Sequence, residues 1–416
     1  MNNLYGKKLL ILGGIALSCE IVKQAHAMGA TVYVTDYLTN SPAKKIADKS
    51  FIVDATHVEE VVKLIKQEKI DGVLTGFVDM LLPYYQQICE RAGLPCYATM
   101  QQIEITTDKI KFKNLCRNFD VPVVEEYELS QRANFTYPLI LKPIDNSGGR
   151  GVTICKNADE FDIAYSNALS FSPSKHVLIE RYMTSKEVSL FYIAIDGEIH
   201  LTAMGNRYVK HSQNGVIPLP VAYFFPSQHL DNYLQHLNEK IIKMFKSIGI
   251  QNGIIFIQSF VENGECVIYE MGYRLTGSLE YKLSTKINGI NPLEMLIRFA
   301  LTGKMTDCKT LPEPHFDKPA ANITFLAKPG VIGEIKGVEQ IRTLPGVIDL
   351  IFTYLAGEEI PQKAVGTLAQ VILRVFIVSE TKKQLKQTMD EVHRSIEIHS
   401  TTGEDMLLPT FDTHEL

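Results

Sequence analysis

Residues 138–152 read Pro-Leu-Ile-Leu-Lys-Pro-Ile-Asp-Asn-Ser-Gly-Gly-Arg-Gly-Val. The apolar run at 139–141 ends on Lys142, and Pro143 then stops any helix. A polar loop with Gly148, Gly149 and Gly151 follows, and 152–155 read as a return strand. The pattern predicts a hairpin whose tip exposes backbone N–H groups beside one strand-borne lysine. Glycines let a backbone bend and approach a ligand closely, and successive N–H groups make an anion-binding concavity. Lys142 adds a compact positive charge. The stretch therefore suits a flexible loop over a phosphate. It suits an ordinary surface hairpin equally, because Asn146-Ser147-Gly148 is good turn chemistry. It is not a Walker A loop, since no Gly-Lys-Ser/Thr follows.

Before this stretch, a strand at 8–12, the pair Gly13-Gly14, a helix at 16–28 and a strand at 31–35 ending on Asp36 open a doubly wound sheet. Gly13-Gly14-Ile15-Ala16 lacks the GxGxxG spacing of a dinucleotide fingerprint, although a helix N-terminus there can hold an anionic group. Strands at 47–54 and 72–75 and helices at 58–68 and 81–92 continue the alternation, giving one α/β domain over 1–97. Asp79 follows the carboxyl end of a strand, where open α/β sheets place ligands; a surface or capping acid is the other reading. Asp108 marks a helix start, and the helix at 109–119 carries Lys109 and Lys113 four apart on one face. Such lysines are solvated charges unless one reaches a phosphate.

After the loop come a helix at 158–169 and strands at 177–182 and 185–195. Glu180, at a strand end, can accept from an adenine amino group, and Glu187 can bind ribose hydroxyls. Both also fit as edge-strand acids that limit aggregation. A hairpin at 254–261 and 266–271 leads into Glu270-Met271-Gly272-Tyr273-Arg274. A carboxylate at the end of an apolar strand must be paired or metal-bound, and Mg²⁺ sites use one or two carboxylates plus substrate phosphates. Arg274 can clamp a transferring phosphoryl group or an oxyanion. Residues 307–318, rich in Pro and charge, read as a linker to a β-rich module with strands at 321–327, 333–337, 347–354 and 369–378 and a helix at 382–396.

The 416 residues suffice for two or three domains. A hydrophobic content of 45% and a charged content of 21% are those of a globular protein, and a net charge of -5 gives no general attraction to nucleic acid or anionic membrane. The seven cysteines form no CxxC pair, which argues against a zinc site or a disulfide framework and for a reducing, cytoplasmic setting. Lys7-Lys8 and the apolar run to Leu17 imitate a signal peptide, but Gly13-Gly14 interrupts the run and it continues into a helix. No stretch is long enough to cross a membrane.

Taken in order, these motifs resemble the ATP-grasp superfamily of carboxylate–amine ligases: Asp-Lys-x3-Lys before Val121-Pro122, "LILKP" with its Gly-rich loop, "VLIERY" and "KEVS", and "YEMGYR". The nearest branches are the carbamoyl-phosphate-synthase-like, purine-biosynthetic and L-amino-acid ligases. The resemblance implies a multidomain α/β and α+β fold. Its parts are an N-terminal doubly wound domain over 1–97, an ATP-grasp domain over 98–306 with a nucleotide-binding subdomain at about 115–185, and a C-terminal β-rich, lid-like domain over 307–416.

It implies ATP and Mg²⁺ (or Mn²⁺) as cofactors, a small-molecule carboxylate and an amine as substrates, and a homodimer as a common state. Lys113 and Lys142 match the phosphate-contacting lysines, with Lys142 also on the catalytic side. Ser147, Gly148, Gly149 and Gly151 match the loop over the phosphates. Glu180 matches the adenine-side acid, Arg181, Tyr182 and Met183 the hinge that meets the base, and Glu187 the ribose acid. Lys210, beside His211, stands where relatives place substrate or γ-phosphate contacts. Glu270 matches the principal metal ligand and Arg274 the arginine that neutralises the intermediate. Two positions depart from the pattern: Gln258 replaces the second metal acid, and Gly272 replaces an asparagine. A phosphoribosyl-substrate enzyme of the purine-pathway type and an ATP-binding protein with weakened turnover are the competing readings.

Overall fold

The computed structural model describes residues 4–145, 149–210, 218–308 and 310–416. The N-terminal unit is a parallel sheet in the order Lys49–Phe51, Thr31–Thr35, Lys8–Leu12, Gly72–Leu74. Leu9, Leu10, Ile11 and Leu12 are buried, as expected for a parallel strand covered on both faces. The helix expected at 16–28 forms over Ser18–Ala27. Between strand and helix, the Gly14 N–H donates to the Asp36 carboxylate at 2.6 Å, and a Cβ there would stand 2.2 Å from Ser41 Oγ. That bond ties the glycine turn to the end of the second strand.

The helix Met100–Thr107, with a Thr99–Gln102 capping box, is absent from the sequence reading. Its two turns are too short for a 3.6-residue apolar period to register. Asp108 then caps Lys109–Asn118, accepting from the N–H groups of Ile110 and Lys111 at 2.9 and 3.0 Å. A small antiparallel sheet follows, in the order Thr153–Cys155, Leu139–Pro143, Val177–Arg181, over its own core of Leu139, Leu141, Phe161 and Ile179.

Among the described residues the largest sheet has eight strands. From edge to edge they are Glu265–Gly272, Gly253–Glu262, Lys186–Ile195, Glu198–Lys210, Leu219–Phe225, Ala320–Leu326, Val371–Val378 and Val347–Phe352. Leu219–Phe225 is buried at every position, so it shows no alternation by which the sequence could announce it. Ala320–Leu326 pairs with it directly, and the residues beyond the 307–318 linker thus continue the same sheet. They also have a core of their own, around Leu373, Val375, Met389 and Ile398. No helix among the described residues is long and apolar enough to cross a membrane.

Candidate active site

In the small sheet, Ile140 stands opposite Glu180. Lys142, two residues on, shares its face, and Lys142 Nζ lies 2.5 Å from Glu180 Oε2. The other Glu180 oxygen takes Lys113. Lys113 is fully buried, donates to the Val124 carbonyl at 3.0 Å and pairs with Glu126 at 3.0 Å. Burial acts to raise the Glu180 carboxyl, but Lys142 and Lys113 outweigh it and hold the group below its ordinary value.

Two expectations are corrected here. Lys113 does not line the cleft; it closes a buried ion-pair network, and Lys109, one turn earlier, lines the cleft in its place. The signal was present: Phe112 and Cys116, both buried, form a helical stripe that runs through position 113. Glu180, in turn, is committed to two lysines and is not an open acceptor for an adenine amino group. Burial lowers the Lys109 ammonium; Lys142 adds to the shift while Glu270 and Glu180 oppose it, so Lys109 belongs electrostatically to the same cleft.

Glu187 faces Arg207 across two strands, pairs with it, and accepts from the Tyr269 hydroxyl at 2.8 Å. Burial works against the Arg207 charge, and Glu187 more than offsets it, leaving the guanidinium above its ordinary value. Arg207 carries no local signal in the sequence, because its partner becomes visible only with the strand register. Arg181 grips Glu262 through two bonds of 3.0 and 2.8 Å, while Tyr182 and Met183 line the cleft. Gly149 lines it too. Gly151 has φ +75°, and a Cβ there would stand 2.5 Å from Phe171, so only glycine fits. Lys210 is not among the cleft-lining residues; it reaches Glu415, which is, at 3.4 Å. Ser147, Gly148 and His211 lie outside the described residues.

Glu270 and Gln258 stand opposite each other on adjacent strands and line the same stretch of cleft. No group of three or more His, Cys, Asp or Glu that could hold a metal occurs among the described residues. One carboxylate and one amide oxygen fit a Mg²⁺ completed by phosphate oxygens and water, not a dedicated protein cage. Arg274 Nε donates to Asp79 Oδ1 at 2.6 Å, Nη2 bonds the other oxygen, and the guanidinium lies 5.1 Å from the centroid of the Phe256 ring. Asp79, read as a candidate on the substrate side, is thus the group that orients Arg274. Phe256 also explains Gly272. The two residues are cross-strand partners, and a Cβ at 272 would stand 2.3 Å from the Phe256 ring. In this chain the place of the asparagine is filled by an aromatic platform under the arginine.

Two cavities meet here. The larger, about 440 Å³, runs from Val124, Ile140 and Met183 past Lys142 and Lys109 to Glu270. The smaller, about 160 Å³, lies beyond Glu270 and holds Arg274, Thr276, Ser278 and Arg374. Gly149, Arg207, Gln258 and Glu270 line both.

Residues 108–307 match the family described as the carbamoyl-phosphate synthase L chain, ATP-binding domain. The chain is 26% identical, over 364 residues, to a formate-dependent phosphoribosylglycinamide formyltransferase of Prochlorococcus marinus, covering 83% of this chain and 88% of that one. The biotin carboxylase domain of the Hydrogenobacter thermophilus 2-oxoglutarate carboxylase superposes with a TM-score of 0.77 at 17% identity, over 96% of this chain and 91% of that one. The L-amino acid ligase of Bacillus licheniformis does so with a TM-score of 0.76 at 17% identity, over 95% and 99%. The chain is thus similar in sequence, over residues 108–307, to an ATP-binding domain of the carbamoyl-phosphate synthase type, and as a whole it has the fold of the ligase and of the biotin carboxylase domain.

Proposed function

We propose that the chain is an ADP-forming ligase that activates a small carboxylate with ATP and joins it to an amine. The observation that carries this is the junction of the two cavities at Gly149, Arg207, Gln258 and Glu270. A nucleotide-sized cleft ends, at its charged end, where a second small pocket begins, and that is the geometry for transfer of a terminal phosphoryl group to an acid. Lys142 and Lys109 hold the phosphates, and Gly149, Gly151 and the intervening loop cover them. The backbone of Arg181, Tyr182 and Met183 meets the base, and Glu187 meets the ribose. Glu270 and Gln258 hold Mg²⁺, and Mn²⁺ suits the same oxygen donors. The metal supplies neutralisation of the phosphate charge. Arg274, fixed by Asp79 and Phe256, orients the acid.

A carboxylate oxygen attacks the γ-phosphorus, the bond to the bridging oxygen breaks, and ADP leaves an acyl phosphate. The amine nitrogen then attacks the acyl carbon, the carbon–oxygen bond to phosphate breaks, and the nitrogen loses a proton. Incubation with ATP, Mg²⁺ and a matrix of acids and amines tests this: phosphate release should depend on one acid–amine pair. Tight ATP binding with no ADP in any mixture would instead select a binding protein without turnover, the reading that Gln258 motivates. A phosphoribosyl amine is the less favoured substrate, because the N-terminal glycine turn has its Gly14 N–H taken by Asp36. The cysteines are free thiols, which supports a cytoplasmic setting, and a homodimer is the expected state in light scattering.

A further inference from the structure

Val371–Val378 has one charged side chain, Arg374, in an otherwise apolar run. Arg374 is 6% exposed, lines the smaller cavity, and its side chain makes no hydrogen bond or ion pair with any described residue. Its neighbours have other partners. The Tyr223 hydroxyl already accepts from Arg207 at 3.4 Å. Glu280, the nearby buried acid, accepts from Ser278 Oγ at 2.7 Å and Thr276 Oγ1 at 3.2 Å. Burial pushes the Glu280 carboxyl up to about 7 and draws the Arg374 guanidinium down to about 10 against the weaker pull of Tyr223 and Glu280, so the arginine remains charged at neutral pH with no carboxylate in direct contact. A desolvated charge without a partner costs several kcal/mol. Arg274 and Arg207, by contrast, each hold a carboxylate.

We infer that the acyl substrate carries a second anionic group, received by Arg374 with Thr324 in the smaller cavity. This rests on the ligase reading. The acid's reacting carboxylate lies at the junction near Arg274, and its other end points away from the nucleotide. Thr324 is the cross-strand partner of Arg374 and lines the same cavity. Arg374 presents a fork of N–H donors suited to carboxylate or phosphate. The smaller cavity, about 160 Å³ beside about 440 Å³ for the larger, suits a small acid.

The test uses the full chain with ATP and Mg²⁺, as wild type, Arg374→Leu and Arg374→Lys. Thermal-shift titration is run with monocarboxylates, with short dicarboxylates and with phosphonocarboxylates of matched length. A dicarboxylate should bind wild type, weaken at least ~10-fold in Arg374→Leu and recover partly in Arg374→Lys, while monocarboxylates ignore both changes. Preference for the phosphonocarboxylate keeps the second anion and identifies it as a phosphate. Equal binding of mono- and diacids to wild type, or no binding of any diacid, overturns the inference without recourse to the variants, whose folding is checked by the ATP-induced shift. ADP release is read separately. A diacid that binds through Arg374 without ADP formation overturns the ligase reading and leaves the anion site standing.

Discussion

At the larger cavity, Lys142 and Lys113 share Glu180, and Arg207 holds Glu187. In the smaller cavity, Arg374 has no carboxylate in contact with it. The first arrangement neutralises buried charge within the protein, so a phosphate that approaches Lys142 must compete with Glu180. Only a densely charged ligand does so well, and this favours a triphosphate over a lone carboxylate. The second arrangement leaves one cation for the ligand to neutralise, which makes selectivity there a matter of a single charge. One cleft therefore combines a self-satisfied end that demands a strong ligand with an open end that names the ligand's sign.

Glu270 belongs to both ends, and its loss should be the largest effect. Glu270→Gln removes the one carboxylate at the junction and should cut ADP release by about 10²–10⁴-fold with the melting temperature preserved. Retained turnover would refute its role. Lys113→Met tests the closed character of the larger cavity. It strands Glu180 and Glu126 with fewer cations and should cost on the order of 3–5 kcal/mol in denaturant unfolding, whereas Lys109→Ala should leave stability near wild type and weaken ATP binding. The opposite pattern would exchange their roles.

Glu280 sharpens the smaller-cavity side. Its folded value of about 7 lies above the ordinary 4.5, so the folded chain keeps a proton where the unfolded chain has lost it. That stabilisation is full below 4.5 and is lost as pH rises through 7. Glu280→Gln, which cannot ionise, should therefore gain on the order of 3 kcal/mol over wild type at pH above 8 and little at pH 4. A gain independent of pH would show that the carboxyl does not titrate there. Smaller effects remain. Asp79→Asn should lower kcat roughly 10-fold with the KM for ATP unchanged, by loosening Arg274. Gln258→Glu should lower the Mg²⁺ concentration needed for half-activity several-fold if that oxygen meets the metal.

Much of the lining of the larger cavity was legible because its residues sit in local patterns. Lys142 stands on an apolar strand before a Gly-rich loop, and Glu270 ends a strand four residues before Arg274. What could not be read was pairing. Whether Lys109 or Lys113 faces the cleft depends on which side of one helix meets the core, and Arg207 gains its meaning from the register that sets it against Glu187. Gly272 looked like a lost asparagine until Phe256 was seen filling the space beside it. Arg374 carried a signal, a lone charge inside an apolar strand, but its significance lies in what the fold withholds from it.

The continuity of the large sheet also constrains how the cleft works mechanically. Metal-side strands and the Arg374 strand are joined through an unbroken hydrogen-bond ladder, so they form one stiff jaw. The opposing jaw is the thin sheet around Leu139–Pro143, which has only a small core and is fastened by Lys113 to Glu180 and by Arg181 to Glu262. Compliance concentrates where fewest apolar groups are buried. The thin sheet is therefore the side expected to yield to a ligand, while Glu270 and Arg374 stand on strands of one sheet.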